Sequence, residues 1–262
     1  GVMIKRGFLA LADSLSETMR RRKLVSRVSG WSFGVPVADE LLPAPANIRL
    51  AHPEQAADFY AGRYHLNGVL VDTLGQSPFL MKDVPKQWDS ALHSFRWLRH
   101  LHAAQSELSR QLAWSLVDEW SSLCGANHAH MAWNIGIAAT RLMSFLTHAG
   151  VLIQSADARA LQHFMRLLTQ HVKFLKAALR TKSCQSGHLK AAISLCYATQ
   201  VIEGRSKNTA FAAKDLTEVL SRQICADGSH LSRNASKTLD ILIDCLTLRE
   251  AYKRRGQAVP DS

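Results

Sequence analysis

The sequence predicts an all-α domain of antiparallel helical hairpins, preceded by a basic N-terminal arm and a short β-hairpin segment. From residue 86 to residue 255 apolar side chains recur with the period of an α-helix, as at Ile135, Ala138, Leu142 and Phe145. The breaks between these segments are short, which makes consecutive helices antiparallel neighbours. A chain of such hairpins buries its apolar faces as a bundle, a solenoid or an α/α toroid. No repeat of the TPR, HEAT or ankyrin period is present, which disfavours the solenoid.

The N-terminal part divides into a helical arm and an extended segment. Residues 4–26 predict a helix whose C-terminal half carries the basic run Arg20–Lys23. Four prolines between residues 31 and 53 break any helix there, so this stretch is expected to be extended. We therefore expect residues 1–47 to form an arm and residues 48–262 to form the helical domain.

A short mixed segment links this arm to the helices. Residues 54–61 predict a short helix that begins after Pro53. Residues 63–71 alternate between polar and apolar side chains around Asn67–Gly68, which predicts a β-hairpin. Residues 72–85 contain Gly75, Pro78 and Pro85 and predict a loop.

Seven helical segments are predicted after this loop from their apolar period and from the polar or glycine-containing breaks between them. They lie near residues 86–103, 106–123, 134–150, 156–181, 187–203, 208–224 and 235–255.

Composition indicates a globular protein that attracts polyanions. Hydrophobic residues make up 47% of the chain and charged residues 20%, which is enough to build a core. The formal net charge of +11 favours nucleic acid, anionic lipid or an acidic polysaccharide as a partner. The alternative is a basic protein with no polyanion partner. No run of about 18 apolar residues predicts a transmembrane helix, and the basic run follows the apolar start rather than preceding it as in a signal peptide.

The cysteines and histidines do not predict a metal centre or another cofactor. The five cysteines are odd in number and none forms a CxxC pair, which argues against a disulfide framework and against a structural zinc site. Histidines cluster on one helix at His93, His100 and His102 and in a loop at His128 and His130. No carboxylate or thiol stands at metal-ligand spacing beside them, so we interpret them as surface or hydrogen-bonded core residues.

Several polar or aromatic residues are candidates for a binding site. Trp133 stands at a helix start, where its ring can stack against a sugar, although most tryptophans of such a domain are core residues. Arg141 lies on an apolar helix and either grips a ligand anion in a cleft or is tied to a helix-end carbonyl or a carboxylate. The polar stretch 227–234 contains His230 and Arg233, which capping and turn formation do not explain, so it is a candidate rim of a site.

The order of several motifs resembles bacterial heparinase II/III family proteins, especially an alphaproteobacterial branch, over residues 48–262. The motifs are Tyr60–Tyr64, Gly75–Phe79, Leu92–Arg99, Trp133 with Arg141 eight residues later, and Asp227–Asn234. The resemblance implies an N-terminal α/α toroid, incomplete in this chain, and a C-terminal β domain that would act as its partner. We expect Trp97, Trp133, Arg141, His230 and Arg233 to bind the substrate around the concave side of the toroid, close to His188.

The resemblance also implies β-elimination on an acidic, uronic-acid-containing polysaccharide. In that reaction a base removes the proton at C5 of a uronic acid and an acid protonates the leaving oxygen, beside an asparagine that binds the carboxylate. The Asn–His pair of active lyases matches Gly187–His188 here, so His188 is the expected catalytic residue and the asparagine is replaced. The tyrosine position matches a site near Lys237.

Three functions therefore compete. The family resemblance favours a lyase domain, and the two replaced catalytic groups favour an inactive glycan-binding or scaffold domain. Nucleic-acid binding is the third and weakest interpretation, and a convex Lys/Arg stripe would favour it. The resemblance implies a periplasmic or cell-envelope location, whereas free cysteines fit the cytoplasm.

Overall fold

A computed structural model describes residues 41–181, 187–202, 208–228 and 230–260. The predicted helix at residues 4–26, the first part of the proline-rich segment, Cys184 and Ser229 lie outside the described residues. Within them the architecture is helical, with one small two-stranded sheet.

An extended segment of residues 44–52, the strap, lies near the start of the described chain, and the predicted hairpin follows it. Helix α1 (Gln55–Tyr60) follows the strap, and strands β1 (Arg63–Leu66) and β2 (Val69–Asp72) pair antiparallel. Asn67 and Gly68 join the strands with φ angles of 48° and 76°. Positive φ at both central residues is the type I′ geometry that asparagine–glycine favours, so the hairpin prediction is confirmed. A 3₁₀ turn at Pro78–Leu80 then leads to the helices.

All seven predicted helical segments are present, two of them divided. They are α2 (Lys86–Ser94), α3 (Leu98–Ala104), α4 (Glu107–Cys124), α5 (Ile135–Thr147), α6 (Ala149–Ile153), α7 (Ala158–Leu179), α8 (His188–Val201), α9 (Thr209–Gln223) and α10 (Ala235–Arg254), with a 3₁₀ turn at Met131–Trp133 before α5.

The first predicted helix is divided at Phe95, which the helical period did not reveal. Phe95 has a φ of 55° and ends α2 in the left-handed conformation. Its ring is fully buried, and ring centroids of Trp97 and Phe145 each lie 5.0 Å from its own. Ser144 donates its hydroxyl to the Phe95 carbonyl at 2.7 Å. Core packing and this hydrogen bond compensate for the backbone strain, and the break directs α3 away from the axis of α2.

The third predicted helix is divided at His148. The backbone there leaves the helical region, with φ −107° and ψ 20°. The buried ring lies 2.9 Å from the Nδ1 of His102 and 3.3 Å from the side-chain amide of Asn47. These side-chain bonds hold the corner between α5 and α6.

Two rows of helices make up the domain. In one row α2 packs on α5, α5 on α8, and α8 on α10. The second row includes α7 and α9, which pack behind α5 and α8. Helix α8 is buried on nearly all sides, as expected for an apolar helix that packs on α5 and α10 in its own row and on α7 and α9 of the other. This arrangement confirms the all-α, toroid-like prediction.

Four tryptophans form the aromatic centre of the core. Trp88, Trp97, Trp120 and Trp133 are all less than 3% exposed. Each indole N–H donates to a protein acceptor, such as the Cys124 carbonyl for Trp133 at 2.9 Å. Burying so much ring surface with every donor satisfied stabilises the start of the toroid. None of the described helices is long and apolar enough to cross a lipid bilayer.

Candidate functional site

A cleft of about 900 Å³ opens on one side of the described domain. The strap, the hairpin turn, the α2–α3 corner and the first residues of α5, α8 and α10 form its walls. Because α5, α8 and α10 all begin at the cleft, these helices run away from it, and the chain returns along the other row.

The charge of the cleft lining is one-sided. Five basic side chains line it, whereas the described residues of the lining include no aspartate or glutamate. The five are Arg49, Arg96, Arg99, Lys190 and Lys237. The cations outnumber the carboxylates that pair with them, Asp240 and Asp244, so the concave wall keeps a positive potential that suits an anionic ligand.

Three of these cations converge on one carboxylate of α10. Arg96 binds Asp240 with both Nη atoms, at 2.7 and 3.1 Å, and Lys190 Nζ lies 2.5 Å from the Asp240 Oδ2. Arg49 Nη2 lies 2.9 Å from the Asp240 Oδ1 and 2.7 Å from the Oδ1 of Asp244. Burial alone would raise the pKa of Asp240, but these three cations outweigh burial and hold the pKa well below its usual range.

The other two cations form no ion pair with a carboxylate in the described part of the chain. Arg99 donates Nε to the Leu50 carbonyl at 2.9 Å and Nη1 to the Arg96 carbonyl at 2.7 Å. Burial, with repulsion from Arg96 and Arg49, lowers the pKa of Arg99 to about 10, which leaves it charged at neutral pH. Lys237 is exposed in the first turn of α10.

Two of the predicted site residues line this cleft, Trp97 and His230. Trp97 is only 2% exposed and donates its indole N–H to the Leu92 carbonyl, so it offers little ring surface for stacking. His230 Nδ1 accepts the backbone N–H of Ser232 at 3.1 Å, and its Nε2 lies 3.2 Å from the Gln223 Oε1. Both ring nitrogens of His230 are therefore engaged. Burial, with repulsion from Lys237, lowers the pKa of His230.

The structure places Trp133 and Arg141 in the core, which corrects the expectation that they face a cleft. Both side chains are fully buried. Arg141 donates Nη1 to the carbonyls of His93 and Ala132 at 2.7 and 2.9 Å, and Nε to His171 at 2.8 Å. Of the two interpretations of Arg141, the structure therefore supports the arginine tied to backbone carbonyls.

His188 and Arg233 lie outside the cleft lining. His188 is 5% exposed and lines a separate small pocket beside Asp215 and Arg222. Arg233 is 72% exposed along its side chain and pairs with Asp227 at 3.2 Å. The predicted group of Trp133, Arg141, His188, His230 and Arg233 is thus not brought together in one cleft.

Gly187, which the family resemblance matches to the asparagine of the lyase motif, lines the cleft. Its φ is 104°, and a Cβ atom added to it would stand 2.6 Å from the backbone nitrogen of Gly136. The first turns of α5 and α8 approach each other here more closely than any side chain permits. No residue other than glycine fits at position 187 without movement of the backbone.

One group of possible metal ligands was not found from sequence spacing. His93, Cys124 and His130 hold ligand atoms within 4.8 Å of one another. However, Trp120 donates its indole N–H to the His93 Nδ1, and the Ala132 N–H donates to the His130 Nδ1. Each neutral ring then carries its own proton on Nε2, so neither ring has a free lone pair for a metal. This group fits a hydrogen-bonded core cluster better than a cation site.

The residues that sequence reasoning missed are the cleft cations. Arg96 and Arg99 stood inside a motif used for the family resemblance, but nothing in their spacing showed that the break at Phe95 turns them toward Lys190. The net charge of +11 was the available signal, and it does not show which basic residues come together in the fold.

Comparison with solved structures shows a polysaccharide-lyase-like fold. The structure superposes on heparan sulfate lyase HepC from Pedobacter heparinus with a TM-score of 0.61 and 16% sequence identity, covering 90% of this chain and 40% of that one. This likeness shows that the described domain has a heparinase-like fold.

By sequence, the chain is 25% identical over 234 residues to FtsZ-localized protein C of Caulobacter vibrioides (strain NA1000 / CB15N). The match covers 88% of this chain and 40% of that protein. No protein-family model matches the chain. The chain thus spans about two fifths of the length of both relatives.

Proposed function

We propose that this domain binds an acidic polysaccharide or oligosaccharide in its cationic cleft and does not by itself perform the β-elimination of a lyase. The observation that carries the proposal is the set of five cations that line the cleft, two of which, Arg99 and Lys237, form no ion pair in the described part of the chain. The heparinase-like fold supports a sugar chain as the anionic ligand, because the comparison structure is a heparan sulfate lyase. The lyase interpretation, with a C-terminal β domain as partner, is the alternative.

The residues that the family resemblance matches to the catalytic groups of a lyase do not support lyase chemistry here. His188 faces a different pocket, Gly187 has no side chain to hold a carboxylate, and Lys237 stands where the tyrosine is expected. A positioned general acid or base typically contributes ~10²–10⁴-fold, and stabilising the developing charge contributes a further ~10²–10³-fold. With these groups missing or displaced, binding is the activity that the cleft chemistry favours.

Binding and cleavage are tested on the same samples. The chain is titrated by calorimetry with a heparin-derived hexasaccharide and with neutral dextran, while absorbance reports any unsaturated uronate product. We expect binding of the hexasaccharide that weakens as salt is raised, no binding of dextran, and no product. Robust product formation would restore the lyase interpretation.

A pair of variants with equal charge loss locates the binding site. Arg99→Gln with Lys237→Gln removes two cleft cations, whereas Arg159→Gln with Arg166→Gln removes two exposed cations of α7. We expect at least ~10-fold weaker binding for the cleft pair, since a hydrogen bond to a charged group contributes about 1.5–3 kcal/mol. The α7 pair should change affinity less than ~3-fold. Equal losses for the two pairs would mean that only net charge attracts the sugar.

A second candidate function is an association with FtsZ polymers, which the name of the Caulobacter relative favours. The match spans most of this chain, so the region it shares with that protein includes the cleft. Sedimentation of purified chain with FtsZ polymers formed in GTP tests this candidate. Enrichment in the pellet that GDP abolishes supports it, whereas equal recovery with and without polymers contradicts it.

A further inference from the structure

The cleft cations fall into two sets that differ in whether a carboxylate already binds them. Arg49, Arg96 and Lys190 all contact Asp240, whereas Arg99 and Lys237 form no ion pair with a described carboxylate. The difference matters because only the second set offers its charge without displacing an existing partner.

The contact between Arg96 and Asp240 has the form of a bound ligand carboxylate. The two Nη atoms of Arg96 reach the two carboxylate oxygens separately, at 2.7 and 3.1 Å. This two-pronged arrangement is the one by which arginine recognises a free carboxylate. Lys190 and Arg49 bind the same two oxygens, so both oxygens of Asp240 are saturated.

A tethered carboxylate competes strongly with a free one. Asp240 is fixed on α10, so its effective concentration at Arg96 is far above that of a monosaccharide in solution. A ligand with one carboxylate therefore gains little binding affinity from Arg96. A ligand with several anionic groups reaches Arg99 and Lys237 as well, and its separate weak contacts add through avidity.

We propose that Asp240 is the specificity-determining residue of the cleft. Its carboxylate occupies both Nη atoms of Arg96 and so selects polyanionic over monoanionic sugars. This inference rests on the proposed function. It predicts that neutralising Asp240 raises affinity for a single uronate far more than affinity for a charged oligosaccharide.

The test compares glucuronate and a heparin-derived hexasaccharide on the wild-type chain and on Asp240→Asn. We expect Asp240→Asn to bind glucuronate at least ~10-fold more tightly and the hexasaccharide less than ~3-fold more tightly, so that selectivity falls. Asp244→Asn is the matched control, because Asp244 contacts Arg49 at 2.7 Å but neither Arg96 nor Lys190 in the described ion pairs. Its glucuronate affinity should change less than ~3-fold.

The outcomes separate this inference from the proposed function. A wild-type chain that binds no hexasaccharide overturns the proposed function. A wild-type chain that binds it, together with an Asp240→Asn variant whose glucuronate affinity is unchanged or weaker, overturns only the specificity role. If Asp240→Asn does not fold, Arg96→Gln in the wild type decides instead. If this variant loses less than ~3-fold in hexasaccharide affinity, the result supports an Arg96 that Asp240 already occupies. A loss above ~10-fold contradicts the specificity role of Asp240.

Discussion

At the residue scale, Gly187 occupies the position that the family resemblance matches to an asparagine of the lyases, and the packing there admits only glycine. The motif places a carboxylate-binding asparagine at this position, but α5 and α8 meet here with no room for a Cβ atom. The packing of these two helices therefore excludes an asparagine at position 187. Restoring it by a single substitution would require α5 and α8 to separate.

Two glycines with similar backbone angles allow this contact to be measured. Gly187→Ala should lower the free energy of unfolding by about 2–4 kcal/mol, from left-handed strain together with overpacking against Gly136. Gly228→Ala should lower it by only about 1–2 kcal/mol, because Gly228 has a φ of 78° but nothing within 4 Å of an added Cβ. Urea unfolding of both variants checks the difference. If the two losses are equal, the contact with Gly136 is not the constraint.

The family resemblance matched Gly187 to a catalytic position of the lyases but could not show that glycine is required there. That requirement comes from a contact between residues 51 positions apart, which no local pattern encodes. Arg141 illustrates the same limit. Its presence on an apolar helix was visible, yet only the fold shows that two backbone carbonyls and the His171 ring bind its guanidinium in the core.

At the element scale, the strap of residues 44–52 forms one wall of the cleft and is held by side chains from several helices. Two of its anchors are histidine rings that accept hydrogen bonds. The backbone N–H of His52 donates to the His100 Nδ1 at 2.9 Å, and the side-chain amide of Asn47 lies 3.3 Å from the His148 Nε2. An acceptor nitrogen must be unprotonated, so this element depends on neutral histidines.

Acid should therefore loosen the strap. Burial, with repulsion from Arg99, lowers the pKa of His100 to about 4, and burial, with repulsion from His102, lowers that of His148 to about 3. Because both values lie below the unfolded value of about 6.5, the unfolded chain binds more protons between these limits. The stability from the two neutral rings is fully present above about pH 6.5 and is lost as the pH falls toward 4.

Denaturant titrations at two pH values measure this effect. The free energy of unfolding should fall by at least ~3 kcal/mol between about pH 7 and pH 4.5. His148→Gln should reduce that fall by at least ~1 kcal/mol, whereas His65→Gln, at an exposed histidine of β1, should leave it unchanged. The same pH dependence in all three proteins would show that other groups control acid sensitivity.

At the scale of the whole molecule, the sequence predicted the elements better than the site. Helical period and short breaks placed all seven helical segments, because each segment carries its own apolar stripe, and Asn67–Gly68 placed the hairpin turn. The division of two of these segments was missed. Neither Phe95 nor His148 is a helix-breaking residue, and each break is held by contacts with residues distant in sequence. The cleft was missed because its cations come from segments up to about 190 residues apart.

The direction of the helices has one further consequence, for how such a domain can diverge. Helices α5, α8 and α10 all start at the cleft, so their first residues line it while their remaining turns pack in the core. Substitutions of exposed side chains at these three helix starts can reshape the cleft without disturbing the packed interior. A lineage of such domains can therefore exchange one acidic ligand for another while its core stays the same.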